Sequence, residues 1–155
     1  MASVKSPLND AALKAAGDAL QGALIDLIDL ALVAKQAHWN LIGRNFKVVH
    51  EHLDEIVALA RSGQDDVAER AVAIGANPDG RVRTVADRTT IPQLEAGYLA
   101  DDKVVAAITD ILAQIIARFR ERIEATDEPD PVTQDLLISI TAELEKQHWM
   151  FQAQT

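Results

Sequence analysis

The sequence predicts an all-α protein: four long helices form one bundle, and a long crossover between the second and third carries a short extra helix. Three observations lead there. Apolar residues recur at helical spacing in four separate stretches. Hydrophobic residues make up 48% of the 155-residue chain while aromatics are only 4%, so Ala, Leu, Ile and Val carry the core, which favours helix on helix over a sheet sandwich. Between the second and third stretches, from Gly75 to Leu99, no such repeat exists. A connection of that length is unusual between adjacent antiparallel helices and suits a strap to the far side of a bundle.

Residues 1–8 read as a short polar tail with Lys5 as its only charge, and residues 9–155 as one domain. Asn9 or Asp10 is a good N-cap for the first helix. Its stripe runs Leu13, Leu20, Leu24, Leu27, Ala31, Ala34, with His38 on the same spacing. Gly43 suits a left-handed helix end. Asn45 can cap the second helix, whose stripe is Phe46, Val49, Leu53, Ile56 and Ala60, resuming through Val67, Ala71 and Ile74. Gly63 inside it costs roughly 1 kcal/mol against alanine and is a candidate kink. The pattern stops at Gly75 and Asn77-Pro78-Asp79-Gly80, and the short extra helix is expected around residues 92–96. The third helix reads Val104, Ile108, Ile111, Ile115, Phe119, Ile123. The turn Asp127-Glu128-Pro129-Asp130-Pro131 breaks it, and the fourth runs through Leu137, Ile140, Leu144, Gln147 and Phe151. No strand alternation is visible.

Composition narrows the function. The chain has no cysteine, so thiol catalysis, disulfides and thiolate metal sites are excluded, and a metal must sit on His and carboxylates. No apolar run approaches the ~20 residues of a membrane span, and the N-terminus lacks a basic-then-apolar signal; a cytoplasmic protein is expected. The formal charge is −9, from 15 basic and 24 acidic residues, against the basic face usual for nucleic-acid binding.

The second helix carries His50 and Asp54 four apart, and further on Asp65 and Glu69 four apart. Each pair shares a helix face. Asp54 and Asp65 stand about 16 Å apart along the axis at ~1.5 Å per residue, whereas ligand bonds are near ~2 Å, so one chain cannot bring both pairs to one ion. Two chains can. The midpoint of residues 50 and 69 is 59.5, and so is that of 54 and 65. Packing this helix antiparallel about a two-fold axis near Leu59 and Ala60 sets each His50/Asp54 pair against the partner's Asp65/Glu69 pair, with Ala58 and Ala60 small enough for close approach. His38 can supply a second imidazole. Such a set suits ferrous iron, manganese or zinc. The plain reading stands beside it: acids four apart on a helix are usually a solvated face, and a lone His is usually structural. The only Glu-x-x-His pair, Glu145 with His148, does not make the paired motif of larger di-iron bundles. The run His50-Glu51-His52 lacks the spacing of a zinc-protease helix.

The stretch Lys35-Gln36-Ala37-His38-Trp39-Asn40, followed by Gly43, Phe46, His50, Leu53 and Asp54, resembles the signature of the Dps family, the bacterial miniferritins. The likeness extends over nearly the whole chain, including Asp65, Glu69, the Gly75/Pro78 break and Trp149. The resemblance implies a ferritin-like four-helix bundle, a hollow homo-dodecamer, and ferroxidase ligands at His38, His50 and Asp54 of one subunit with Asp65 and Glu69 of its two-fold mate. It implies oxidation of Fe(II) by hydrogen peroxide, or more slowly dioxygen, and storage of ferric mineral, which protects against oxidative damage. Zinc is a candidate substitute at the same site. Trp39 resembles a family tryptophan near the iron and is a candidate radical sink, with packing as the equal alternative. The acidic turn of Asp127, Glu128 and Asp130 with Asp135 resembles the three-fold pore, where it would concentrate cations; helix capping is its plainer role. Glu51 and Glu55 are candidates for mineral nucleation.

The departure concerns DNA. Family members that condense DNA often use basic tails. Here the first residues hold only Lys5, and the last five, 151–155, hold no base. Affinity for DNA rests largely on cations that neutralise phosphates, so weak DNA binding is expected, although a mainly DNA-coating, nucleoid-associated role remains the alternative. Arg81, Arg83 and Arg88 form a small basic cluster in the crossover.

Overall fold

The computed structural model describes residues 4–155. The order is α1 (Asp10–Asn40), β1 (Leu41–Ile42), α2 (Phe46–Ala73), α3 (Val82–Arg88), β2 (Leu99–Ala100), α4 (Asp101–Thr126) and α5 (Pro131–Gln152). Helices α1 and α2 form one antiparallel hairpin, α4 and α5 the other, and the crossover joins them. Most of the expected stripe residues form the shared core: Leu20, Leu27, Leu53, Ile56, Ile108, Phe119, Leu144 and Phe151 are buried, joined by Leu30 and Leu112, whereas Phe46, expected at the head of the α2 stripe, is exposed. No helix among the described residues is long and apolar enough to cross a membrane.

Two helix starts follow local chemistry, whereas Asn45, expected to cap α2, makes no side-chain cap hydrogen bond. Asn9 caps α1, its Oδ1 accepting the Ala12 N–H at 2.9 Å. Pro131 opens α5 at a position where its missing N–H costs nothing. Of the expected polar tail, residues 1–3 lie outside the described residues. The remainder is not free: Leu8 packs on the core, and Val4 and Ser6 lie against Gly75, whose φ of +90° ends α2.

Four further expectations are corrected. α1 stops at Asn40 rather than near Gly43, because Leu41 and Ile42 turn extended and pair in parallel with Leu99 and Ala100. Gly43 is nonetheless required: its φ is +146°, and a Cβ there would meet the Asp101 carboxylate at 2.3 Å. α2 runs uninterrupted through Gly63. This glycine is buried where α1, α2 and α5 meet, and a Cβ would lie 3.2 Å from Leu27 Cδ1 and 3.6 Å from Ile140. The extra helix spans Val82–Arg88, not residues 92–96. Asp79 sets it up, accepting from the Arg81 N–H at 3.1 Å and the Thr84 hydroxyl at 2.8 Å, and Val85 buries its one apolar contact. Gln21 anchors the start of that strap, giving its amide to the Asp79 carbonyl at 2.9 Å and accepting the Asp79 N–H at 2.8 Å. Finally, Ala60 points into the core and is fully buried, so of these two alanines only Ala58 faces outward.

Buried charges tie the hairpins together. Asp26 on α1 receives Arg118 Nη2 at 2.9 Å and Arg122 Nη1 at 2.7 Å from α4. A buried carboxylate is tolerated only when paired and hydrogen-bonded in this way. Arg70 on α2 reaches Asp130 in the α4–α5 turn at 2.7 Å.

Candidate metal centre

The last turn of α1 and the first turns of α2 meet across the five-residue link that joins them, residues 41–45. There His38 and His50 stack face to face, ring centroids 3.6 Å apart. Nδ1 of His38 lies 2.9 Å from the His50 carbonyl oxygen, and Nδ1 of His50 lies 2.9 Å from the His38 carbonyl oxygen. A carbonyl only accepts, so each Nδ1 carries the proton, and in the neutral ring Nε2 keeps its lone pair. This is the orientation a metal-ligating imidazole needs, with the other nitrogen fixed by a backbone acceptor. Phe46 also stacks on His50, ring centroids 4.9 Å apart.

Asp54 stands one turn beyond His50. Its Oδ1 lies 3.4 Å from His38 Nδ1 and accepts a hydrogen bond from Lys35 Nζ. That hydrogen bond, joined by the Lys35 charge, holds the Asp54 carboxyl below the usual carboxylate range. Half of the Asp54 side chain is exposed while the Lys35 side chain is mostly covered. Lys35 belongs to the sequence signature, but its pairing with Asp54 was not anticipated; the signal was a cation three residues before His38.

The structure brings together His38, His50 and Asp54. It does not bring Asp65 and Glu69 to them: both are exposed, farther along α2. Among the described residues, no group of three or more His, Asp or Glu side chains of one chain is gathered to hold an ion. At ~100° per residue, His50, Asp54, Asp65 and Glu69 fall within about 100° of α2, opposite its buried stripe.

The other candidates fall as follows. Trp39 is two-thirds exposed, beside Leu32, Gln36 and Leu94. Glu51 and Glu55 are exposed on α2 around a shallow depression with Val48, His52 and Met150. Asp127 and Asp135 are exposed. Asp130 leaves the proposed funnel: it is 3% exposed, accepting from Arg70 at 2.7 Å and from the Thr133 hydroxyl at 2.5 Å. Burial pushes its carboxyl up, but the Thr133 and Arg70 hydrogen bonds outweigh that and hold it below the usual range. Glu145 is paired with Arg120.

The bundle with its single crossover defines a ferritin-like protein, and the ferritin-like domain family model matches residues 17–155. The chain is 35% identical over 146 residues to the DNA protection during starvation protein of Mycolicibacterium smegmatis, covering 94% of this chain and 80% of the relative. It is 34% identical over 141 residues to DNA protection during starvation protein 2 of Deinococcus radiodurans, covering 91% of this chain but only 58% of that longer relative. Dps from Microbacterium arborescens, solved in a high-iron form, superposes with a TM-score of 0.92 at 32% identity, covering 97% of each chain. The chain belongs to the Dps family.

Proposed function

We propose that this protein is a ferroxidase miniferritin whose iron centres lie between subunits. His38, His50 and Asp54 of one chain face Asp65 and Glu69 of a two-fold mate, two identical centres form per pair, and pairs assemble into a hollow homo-dodecamer. The single observation carrying this reading is the two imidazoles, locked by reciprocal backbone hydrogen bonds with Nε2 free, beside an ionised carboxylate. The distance along α2 then requires a second chain to complete the ligand set.

Iron is substrate here. Neutral imidazoles and carboxylates bind Fe(II), and the carboxylates stabilise Fe(III) more strongly as charge rises. Two ferrous ions give one electron each to hydrogen peroxide, the O–O bond breaks, and two hydroxides leave. Dioxygen is the slower oxidant. The ferric product collects inside the shell, with Glu51 and Glu55 as nucleation candidates and Asp127, Glu128 and Asp135 as the remaining acids of an entry funnel. Consuming Fe(II) and peroxide together withholds both from radical chemistry. Zinc fits the same ligands. A cytoplasmic location suits this role.

Complementation between inactive subunits tests the reading. His50→Ala and Asp65→Ala chains should each oxidise Fe(II) slowly. Refolded together, they form mixed pairs in which one centre carries both substitutions and the other neither, so activity should return. Failure of mixtures to exceed either parent, with assembly intact, refutes the shared centre. The second reading, a DNA-coating protein, draws on the relatives' names. A gel shift at physiological salt decides it.

A further inference from the structure

The outward face of α2 carries Asp54, Ala58, Arg61 and Asp65, all exposed. Their spacing of four, three and four residues places them on one stripe of the helix, and at ~100° per residue they fall within about 60° of one another. Arg61 is the only cation of the four. It makes no ion pair or side-chain hydrogen bond with any described residue, although arginines on the inner faces, such as Arg70, Arg118 and Arg122, are all paired. The relation that sets 50 against 69 and 54 against 65 also sets 61 against 58. The longest side chain of the seam therefore meets the smallest.

We infer that Arg61 is an interface cation that lies over the partner's Ala58, between Asp65 of its own chain and the partner's Asp54, and holds the metal-free pair together. This rests on the proposed two-fold pairing. Each centre gathers the carboxylates of Asp65 and Glu69 with that of the partner's Asp54, and without metal these repel across the seam. Lys35 already serves Asp54 within its own chain. Asp65 and Glu69 have no such cation among the described residues, and Arg61, one turn before Asp65, is the group placed to supply it. Ala58 leaves room for the guanidinium at closest approach, as a longer side chain would not.

Native mass is read by light scattering on chelator-treated protein at about 20 mM and about 0.5 M salt, the latter screening charges beyond roughly 4–5 Å. The unsubstituted protein should stay assembled at both. Arg61→Gln should dissociate at low salt, at a protein concentration at least about tenfold higher than the parent, and reassemble at high salt. Arg61→Lys should behave as the parent, and circular dichroism should show Arg61→Gln as helical as the parent. Arg61→Gln that stays assembled at low salt overturns the inference. So does a loss that salt does not reverse, which would mark a packing defect. A monomeric parent at both salts refutes the pairing itself, and undiminished oxidation by His50→Ala refutes the proposed centre. Neither result is produced by failure at Arg61 alone.

Discussion

His38 and His50 each hold the other by its backbone: the Nδ1–H of one ring is given to the main-chain carbonyl of the other, both at 2.9 Å. Removing either ring therefore removes a candidate ligand and also the group that orients the second. His38→Ala and His50→Ala should each slow peroxide-driven ferrous oxidation by on the order of 100-fold. The double variant should be hardly slower than either single one, since coupled sites are not additive. Initial rates from the absorbance of ferric product check this; multiplying losses would show two independent ligands.

Lys35 donates to Oδ1 of Asp54 and so competes for a carboxylate of the proposed centre. Lys35→Met keeps the covered stem and removes that competitor. The ferrous concentration giving half-maximal rate should fall by roughly tenfold, about 1.4 kcal/mol. Titration with cobalt(II), followed spectroscopically, gives the same comparison without turnover. Unchanged affinity would mean the ammonium leaves at no cost.

Asp130 couples acid stability to the Arg70 pair. Its carboxyl is held below the usual range in the folded chain, so the unfolded state binds the proton more readily. The pair's contribution is full above the unfolded carboxylate pKa of about 3.9 and is lost as pH falls through the lower, folded value. Asp130→Asn should cost roughly 2–3 kcal/mol at neutral pH and flatten the acid limb of stability against pH. Chemical denaturation across that range measures both.

Gly63 leaves room for Leu27 and Ile140. Gly63→Ala sets a tight 3.2 Å contact with the flexible end of Leu27 against a helix-propensity gain of about 1 kcal/mol, so stability should change by less than about 1 kcal/mol. Gly63→Leu overpacks the crossing and should destabilise by about 2–3 kcal/mol. Thermal unfolding separates them.

The long helices were legible because each buries a stripe of Leu, Ile and Val, and the Asn9 cap and the Pro131 start were legible because their chemistry is local. The β1–β2 pairing was not: two residues per strand leave no alternation to read, and the partner lies 58 residues away. The short helix was misplaced because its start is set by Asp79 hydrogen bonds and its burial by Val85 alone, signals too small for a periodic pattern. Within the site, the grouping of His38, His50 and Asp54 followed from spacing and the signature. The direction of Ala60 and the burial of Asp130 did not, because both depend on which helix lies alongside.

Asp101 fills the space over Gly43 and takes the Asn45 N–H at 2.7 Å, across 56 residues of sequence. A ribosome making this chain delivers both histidines well before it delivers the carboxylate that braces the bend between them. The nascent first hairpin thus carries its imidazoles on an untethered corner. That corner takes its final shape only when the far end of the strap arrives, which places maturation of the histidine-bearing end late in the birth of each subunit.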